Sequence, residues 1–434
     1  MSKLLNMEIY QYAKLKYYRK HIIIPVLFLI CHETGFGQSG KRLTLDSCYE
    51  MARRNYPLIK KYDLVAKSAE YNLSNAGKAF LPQISVTGIG AYLYSGIPAP
   101  QGKEDSRVKF IGILQVNQAI WDGGATKSQK EIIKANQVVE EDGLAVSLYA
   151  IRARIDQIYF GILVIDEQRK QIGILADRFA ISLQNVKQSK ENGYAYQSDV
   201  DEVRAEILNT EERQVEFDYS RKKYVEMLSY LIGQPLPDTV QLQVPAPVFR
   251  LEPASMNRPE ISLFAGQRAL AQAQLRQINV ANMPRLGLVG IGALIQPGFY
   301  LGQNQVSGIA LAGLSLSWDV GGLYRSSNNR ELNRIQMDKI KNDEEVFRFN
   351  NGLELKQNSA EIEAQSAILR KDVQIVALKG AIVKSYQLKY DNGLCSMNDL
   401  LTAMNKESEA KRNQSVHEMQ LTMSTYNYKT TSGN

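Results

Sequence analysis

A chain of 434 residues, 44% hydrophobic and 22% charged, is long enough for two or three ordinary domains and apolar enough to bury a core. No apolar run reaches the ~18 to 20 residues a spanning helix requires, so any membrane role has to come through strands. The formal charge of +7 includes no basic block of the kind a nucleic-acid groove needs. Three cysteines and three histidines argue against a disulfide scaffold, a histidine-ligated zinc site or a Ser/His/Asp hydrolase.

The first feature along the chain is an export signal. Lys14, Lys16, Arg19 and Lys20 precede the apolar run Ile22 to Ile30, and Gly35-Phe36-Gly37 supplies small residues for cleavage, so residues 1–37 are predicted to be removed. A buried strand or short helix is the alternative for the apolar run. Lipidation of Cys31 is the alternative processing, although Ile30 is bulky for the position before such a site. Cleavage takes five basic and two acidic residues and lowers the formal charge from +7 to +4. The remainder keeps Cys48, Cys395 and His417, none within a catalytic or metal-ligating motif, and no cofactor is expected.

Residues 38–234 form a first structural repeat: a helix, a strand pair at about 83–94 and 107–121, and a helical hairpin. Ile84, Val86, Tyr92 and Tyr94 fall on one side of the first strand, with Ser85 and Thr87 on the other. That two-residue period suits a barrel wall with lipid outside and water inside. Gly88 and Gly90 lack the third glycine and the following helix of a dinucleotide fingerprint and read as strand glycines.

No proline occurs from Gln101 to Gln234. Across this span Leu144, Leu148, Ile151, Ile155, Ile158, Ile162, Ile165, Arg169, Ile172, Ala176, Phe179, Leu183 and Val186 step by four and three, with Arg169 the one polar member. The spacing predicts a coiled-coil helix, the alternative being a long amphipathic helix in an ordinary bundle. From about Thr126 to Glu191 it would run roughly 100 Å at 1.5 Å per residue. Asn192-Gly193 breaks it, Ser198 or Asp199 is placed to cap the returning helix, and Val200, Val203, Ile207, Phe217, Tyr224, Leu228 and Leu231 resume the seam.

Six of the thirteen prolines lie between Pro235 and Pro259, which marks residues 235–257 as the inter-repeat linker. Residues 258–427 repeat the order: a helix, strands at about 285–295 and 305–319, and a hairpin with its tip near 393. Residues 428–434 read as a polar tail. Leu314, Leu316 and Trp318 alternate with Ser315 and Ser317. The second hairpin's stripe, through Leu369, Val373, Val376 and Val383, is less regular and is assigned by analogy. The duplication is carried by the only two tryptophans, in Ile120-Trp121-Asp122-Gly123-Gly124 and Ser317-Trp318-Asp319-Val320-Gly321-Gly322. Asn192-Gly193 and Asn392-Gly393 match as well, each glycine six residues before Asp199-Val200 or Asp399-Leu400.

Four strands cannot close a barrel, and an open edge in lipid leaves unsatisfied N–H and C=O groups costing several kcal/mol each. Copies must share one: two would give about eight strands, three about twelve with a wider lumen. Trp121 and Trp318 would mark one membrane interface, and Tyr92, Tyr94, Phe299 and Tyr300 the other. A soluble hairpin cap with core tryptophans is the alternative.

Taken in order, these residues resemble the TolC-type outer-membrane efflux proteins. Leu43 to Ile59, with its Leu-Thr-Leu start and Asn-x-Pro turn, is similar to that family's first helix. Arg258-Pro259-Glu260-Ile261, an Ala/Gln-rich helix and Met283-Pro284 resemble the start of the second half. Gly123, Gly124, Gly321 and Gly322 fit its strand–helix junctions, and Leu231-Ile232-Gly233 fits the end of its first hairpin. The resemblance extends from about Leu43 to Tyr426.

It implies a mainly α fold with a membrane β-barrel. Long coiled-coil hairpins would form an α-barrel tunnel, and four strands per chain would contribute to a twelve-stranded barrel shared by a homotrimer. The expected place is the outer membrane of a Gram-negative bacterium, in contact with its lipid and extending into the periplasm. The expected role is non-enzymatic: the exit duct of a tripartite efflux pump, joined to a periplasmic adaptor and an inner-membrane transporter, with no nucleic-acid partner. A type I protein secretion duct shares this architecture, and a non-transporting coiled-coil tether or adhesin is a more distant reading. By the family's tip motif, Gly193, Tyr194, Tyr196, Ser198, Asp199 and Val200, with Gly393, Leu394, Met397, Asn398, Asp399 and Leu400, are expected to meet the adaptor. Glu191, Asp372 and Asp391 are the candidate gate acids, which in a ring would attract polyvalent cations.

Overall fold

The computed structural model describes residues 42–92, 94, 107–246, 256–296 and 305–433. The predicted signal segment with Cys31, and Phe299 and Tyr300, lie outside the described residues. The chain divides at Leu43/Thr44, and every helix and strand from α1 onward belongs to the unit that begins at Thr44.

Helix α1 (Leu45–Asn55) starts where the Thr44 hydroxyl accepts the Ser47 N–H at 3.2 Å and stops before Pro57, whose ring disfavours helical geometry in the preceding residue. The Asn55 amide then donates to the Tyr230 and Leu231 carbonyls, each at 3.1 Å. Those carbonyls belong to the last turn of α5 (Gln197–Ile232). Gly233 caps that helix at φ +69°, and a Cβ there would lie 2.3 Å from Asn55. The Asn-x-Pro and Leu-Ile-Gly motifs, far apart in sequence, are thus one contact.

Helix α2 (Lys60–Gly77) leads to β1 (Gln83–Tyr92) and β2 (Val108–Trp121). After the linker, α6 (Pro259–Ala281) leads to β3 (Arg285–Gln296) and β4 (Ser307–Ser317). The two hairpins join through β2 and β3 into one antiparallel sheet of order β1-β2-β3-β4. Among the described residues neither β1 nor β4 has a second strand partner.

The predicted single helix of 126–191 is two: α3 (Ala125–Tyr149) and α4 (Ile151–Glu191), interrupted at Ala150. No proline or glycine causes the break. It falls where the partners change, from α2 and α6 around α3 to α1, α5 and the last helix around α4. The second repeat crosses the same level without interruption in α7 (Gly322–Asp391), 70 residues, and returns as α8 (Met397–Ser432). At 1.5 Å per residue α7 is roughly 105 Å long.

Every apolar residue of the predicted seam, which starts at Leu144 in α3 and runs on through α4, is buried or half-buried. Its one polar member has a use. Arg169 pairs with Asp218 of α5 at 2.6 Å, while the buried Arg221 bonds Asp166 at 2.5 Å and the linker carbonyls of Asp238 and Val240. The α7 seam is hard to read because much of it is polar: Ser326, Asn333, Asn351 and Asp372 are buried along with Ile340 and Val383, whereas Val373 is exposed. The predicted tail is also different. Residues 428–432 continue α8, with Thr431 and Ser432 buried, the Thr431 hydroxyl bonded by Asn358, and the Thr430 carbonyl accepting from Tyr149 and Arg258.

Where α1, α4 and α8 meet, Asp156 is fully buried, its carboxylate accepting from the hydroxyls of Tyr49 and Thr430. Burial pushes its pKa from 3.8 up to about 6, against the opposing pull of those hydroxyls and Arg152. Between these values the native state holds a proton that the unfolded chain has released, so stability falls as pH rises through about 4 to 6. Asp156→Asn is therefore expected to flatten the pH dependence and to gain on wild type at pH 7 by up to about 2 to 3 kcal/mol. Chemical unfolding of the solubilised protein at pH 4 and pH 7 checks this.

Candidate functional site

Alternation along the paired strands sorts the sheet into two faces. The first holds Ile84, Val86 and Tyr92 of β1, Val108, Phe110, Leu114 and Val116 of β2, Leu286, Leu288 and Leu294 of β3, and Leu314 and Leu316 of β4. It contains no charged residue, and only Gln118 and Gln296 are polar. The second face carries Gln83, Ser85, Gln115, Asn117, Arg285, Ser315 and Ser317 toward the helices. On the central strands Phe110, Leu114, Leu288 and Leu294 of the first face are exposed, while Ile111, Ile113, Val289, Ile291 and Ile295 of the second are half-buried. Crowding on one side means that the second face is concave. The expectation of small polar residues on the inner face holds best near the helices; farther out Ile89, Ile111, Ile113 and Ile309 share that face with Thr87, Ser307 and Lys109.

The ladder between β2 and β3 slips at Ala119/Trp121, leaving Ile120 as a bulge. Without the extra residue Trp121 would point to the concave face. With it, Trp121 pairs with Leu286 and joins the apolar outer face, level with Leu316. The Trp318 indole N–H donates to the Asn282 carbonyl at 3.0 Å. Both tryptophans thus lie at the helix end of the sheet, and Tyr92, in edge contact with Tyr94, lies at the other.

Each tryptophan is followed by an aspartate that starts a helix. Asp122 accepts the N–H groups of Gly124 at 2.9 Å and Thr126 at 2.7 Å; Asp319 accepts that of Gly322 at 3.1 Å. The glycines differ. Gly123 and Gly124 adopt φ +69° and +92°, and a Cβ on Gly123 would lie 2.5 Å from Met283. Gly321 has φ −62°, and only Gly322 is crowded, by Asn282 at 2.4 Å. Both junctions pack on the turn Asn282-Met283 ahead of β3.

At the opposite end the two hairpin tips repeat the same backbone turn and the same aspartate cap. Gly193 and Gly393 sit at φ +78° and +70°. The N–H groups of Gly193 and Tyr194 return to Lys190 and Ser189 at 2.9 and 2.8 Å, as those of Gly393 and Leu394 do to Tyr390 and Lys389. The carboxylate of Asp199 accepts the Tyr196 N–H at 2.8 Å, and that of Asp399 the Ser396 N–H at 3.0 Å. The spacing shared by the two tips is a cap reaching back to the residue before the helix, so Ser198, exposed in the first turn, is not the cap. Bonds from Ser396 hold the Asp399 carboxyl below the usual range.

The predicted docking residues separate by exposure. Tyr194, Tyr196 and Leu394 are 88%, 80% and 75% exposed, and Asn398 and both glycines are also at the surface. Val200, Met397 and Leu400 are buried, packed with Phe179, Val186, Val203 and Met404 in the core between the hairpins. They hold the tips together and offer nothing to a partner. Between the tips runs a groove of about 870 Å³ whose walls include Tyr194, Tyr196, Tyr390 and Cys395. Of the candidate gate acids, Glu191 and Asp391 are exposed beside the tips, Asp391 accepting from Gln387 at 2.9 Å. Asp372 is buried well up α7, with His417 Nδ1 at 2.7 Å, and belongs to the seam. Sequence reasoning missed that pair because the two residues lie on different helices.

No helix among the described residues is long and apolar enough to cross a membrane. Residues 48–234 match the family model described as outer membrane efflux protein. That match spans the first repeat. The second, with the same elements in the same order, completes the fold. No curated protein matches the chain in sequence. Among solved structures it is similar to CusC, at TM-score 0.68 and 15% identity over 93% of this chain and 95% of that one. It is also similar to the outer-membrane channel OprN, at 0.67 and 16% over 90% and 89%, and to the outer membrane protein VceC from Vibrio cholerae, at 0.63 and 13% over 90% and 96%. At these identities the likeness is one of fold.

Proposed function

We propose that three copies close one twelve-stranded barrel and a helical tunnel beneath it, forming the exit duct of a tripartite efflux pump. The duct is passive. A periplasmic adaptor engages the hairpin tips, and an inner-membrane transporter supplies the energy. The observation that carries this reading is the open four-stranded sheet: its convex face is apolar and uncharged, and its two outer strands each lack a second partner among the described residues. In lipid such edges are costly, and further copies of the same sheet satisfy them. The exposed Tyr194, Tyr196 and Leu394 around the groove support docking by a helical hairpin with an apolar end.

The test is thiol crosslinking in intact cells from Tyr194→Cys and Leu394→Cys. The native Cys395 serves less well, being half-buried with its thiol turned to the Tyr386 carbonyl at 3.5 Å and its pKa raised, first by burial. An adaptor identified by mass from both sites is expected. Capture only of further copies of this chain would overturn the docking assignment.

A further inference from the structure

Three lysines stand together where α3 leaves the sheet. Lys127, Lys130 and Lys134 line a recess of about 380 Å³ whose other walls are Phe80, Thr126 and Glu131. Glu131 already pairs with Arg276 of α6 at 2.7 Å, and none of the three lysines has a carboxylate partner among the described residues. The recess opens away from the concave face. A cavity of about 630 Å³ under that face is lined by Asn117, Arg285 and Ser315 of the strands and by Ala125 and Gln129 of α3. With successive residues roughly 100° apart around a helix, Lys127 and Lys134 project from the opposite side, and both are exposed. Helix α3 stands between α2 and α6 of its own chain, so copies that join through β1 and β4 do not meet at this side of it.

The duplicated helix does not require these lysines. Aligned on Gly124 and Gly322, with buried Ser128 matching buried Ser326, the second repeat carries Arg325, Asn328 and Leu332 in their places. Toward the sheet the surface beside the recess turns apolar: Phe80 and Leu81 are 39% and 56% exposed, and Ile84 and Val86 continue it onto the convex face. Trp121, at the helix end of that face, comes only six residues before Lys127. From Lys127 to Lys134 is about 10 Å along the axis, comparable with the ~5 to 7 Å of head-group layer on each side of a bilayer's hydrocarbon.

We infer that this recess binds the head group of an anionic phospholipid, with the phosphate among the three ammonium groups and the acyl chains against Phe80, Leu81 and the convex face. This rests on the proposed placement of the sheet in a bilayer. Lysines just outside the apolar span of a membrane protein attract anionic head groups, and their flexible stems carry the charge to the phosphate while the methylenes stay on apolar surface. A free anion would use the ammonium groups alone and leave the exposed Phe80 and Leu81 without a role.

The test is native mass spectrometry of the full-length protein in detergent micelles, with phosphatidylglycerol or phosphatidylcholine of identical acyl chains added. The wild type is expected to retain phosphatidylglycerol with a preference of at least about fivefold. Lys127→Gln with Lys134→Gln, both at exposed positions that folding does not need, is expected to lose most of that preference, and adding Lys130→Gln to abolish it. Lys222→Gln with Lys223→Gln, an equal loss of charge on α5, is expected to keep it. Equal retention of the two lipids by the wild type, a preference unchanged in the α3 variants, or the same loss in the α5 variant would overturn the recess and leave the duct standing. Displacement of the bound lipid by an equal concentration of inorganic phosphate would make this a site for the free anion and overturn the lipid assignment. A wild-type protein that is monomeric and soluble without detergent would overturn the membrane placement itself.

Discussion

Leu114→Arg is expected to reduce assembled, membrane-inserted protein more than any other single change on the sheet. Leu114 is at the middle of β2 on the convex face, beside Val86 and Gly292. A guanidinium there would meet mid-bilayer hydrocarbon at a cost of ~2 to 4 kcal/mol per copy. Leu316→Arg should cost only ~0 to 1 kcal/mol, since Leu316 lies level with Trp121 at the interface, where an arginine reaches the head groups. Gln115→Arg, one residue along but on the concave face, should assemble nearly normally. The heat-modifiable oligomer band of outer-membrane extracts reads all three. Equal loss from Leu114→Arg and Gln115→Arg would mean that the faces are assigned the wrong way round.

Gly123→Ala should destabilise the protein by about 3 kcal/mol, through left-handed strain of ~1 to 3 kcal/mol and overpacking of similar size. The added Cβ would lie 2.5 Å from the Met283 side chain at φ +69°. Gly321→Ala, at the matching place in the second repeat, should be neutral to mildly stabilising. Its φ is −62° and the nearest atom to a new Cβ is an Asp319 oxygen at 3.4 Å. Denaturant midpoints of the two purified variants give the comparison, and similar losses would show that the junctions are not built as described.

The contrast between those two glycines shows what a single sequence can and cannot disclose. The duplicated Trp-Asp and Gly-Gly marks were legible because both repeats use the aspartate as a helix-starting acceptor. Which glycine needs a positive φ was not, because that depends on how Asn282 and Met283 approach from another part of the chain. The α4 seam could be read because twelve of its thirteen positions are apolar at coiled-coil spacing. The α7 seam could not, since buried Asn333, Asn351 and Asp372 look like a solvated surface until their neighbours are known. Strand alternation gave the convex face. The bulge at Ile120, which moves Trp121 to that face, leaves no mark on the pattern. In the tips, apolar type alone did not separate Tyr194 and Leu394, which are exposed, from Val200, Met397 and Leu400, which the opposite hairpin covers.

The incomplete sheet is the point on which the rest depends, and native mass spectrometry of the protein released from detergent micelles addresses it directly. The account predicts a complex of three chains that survives only while detergent or lipid covers the convex face. A single chain, stable and soluble without detergent, would contradict it.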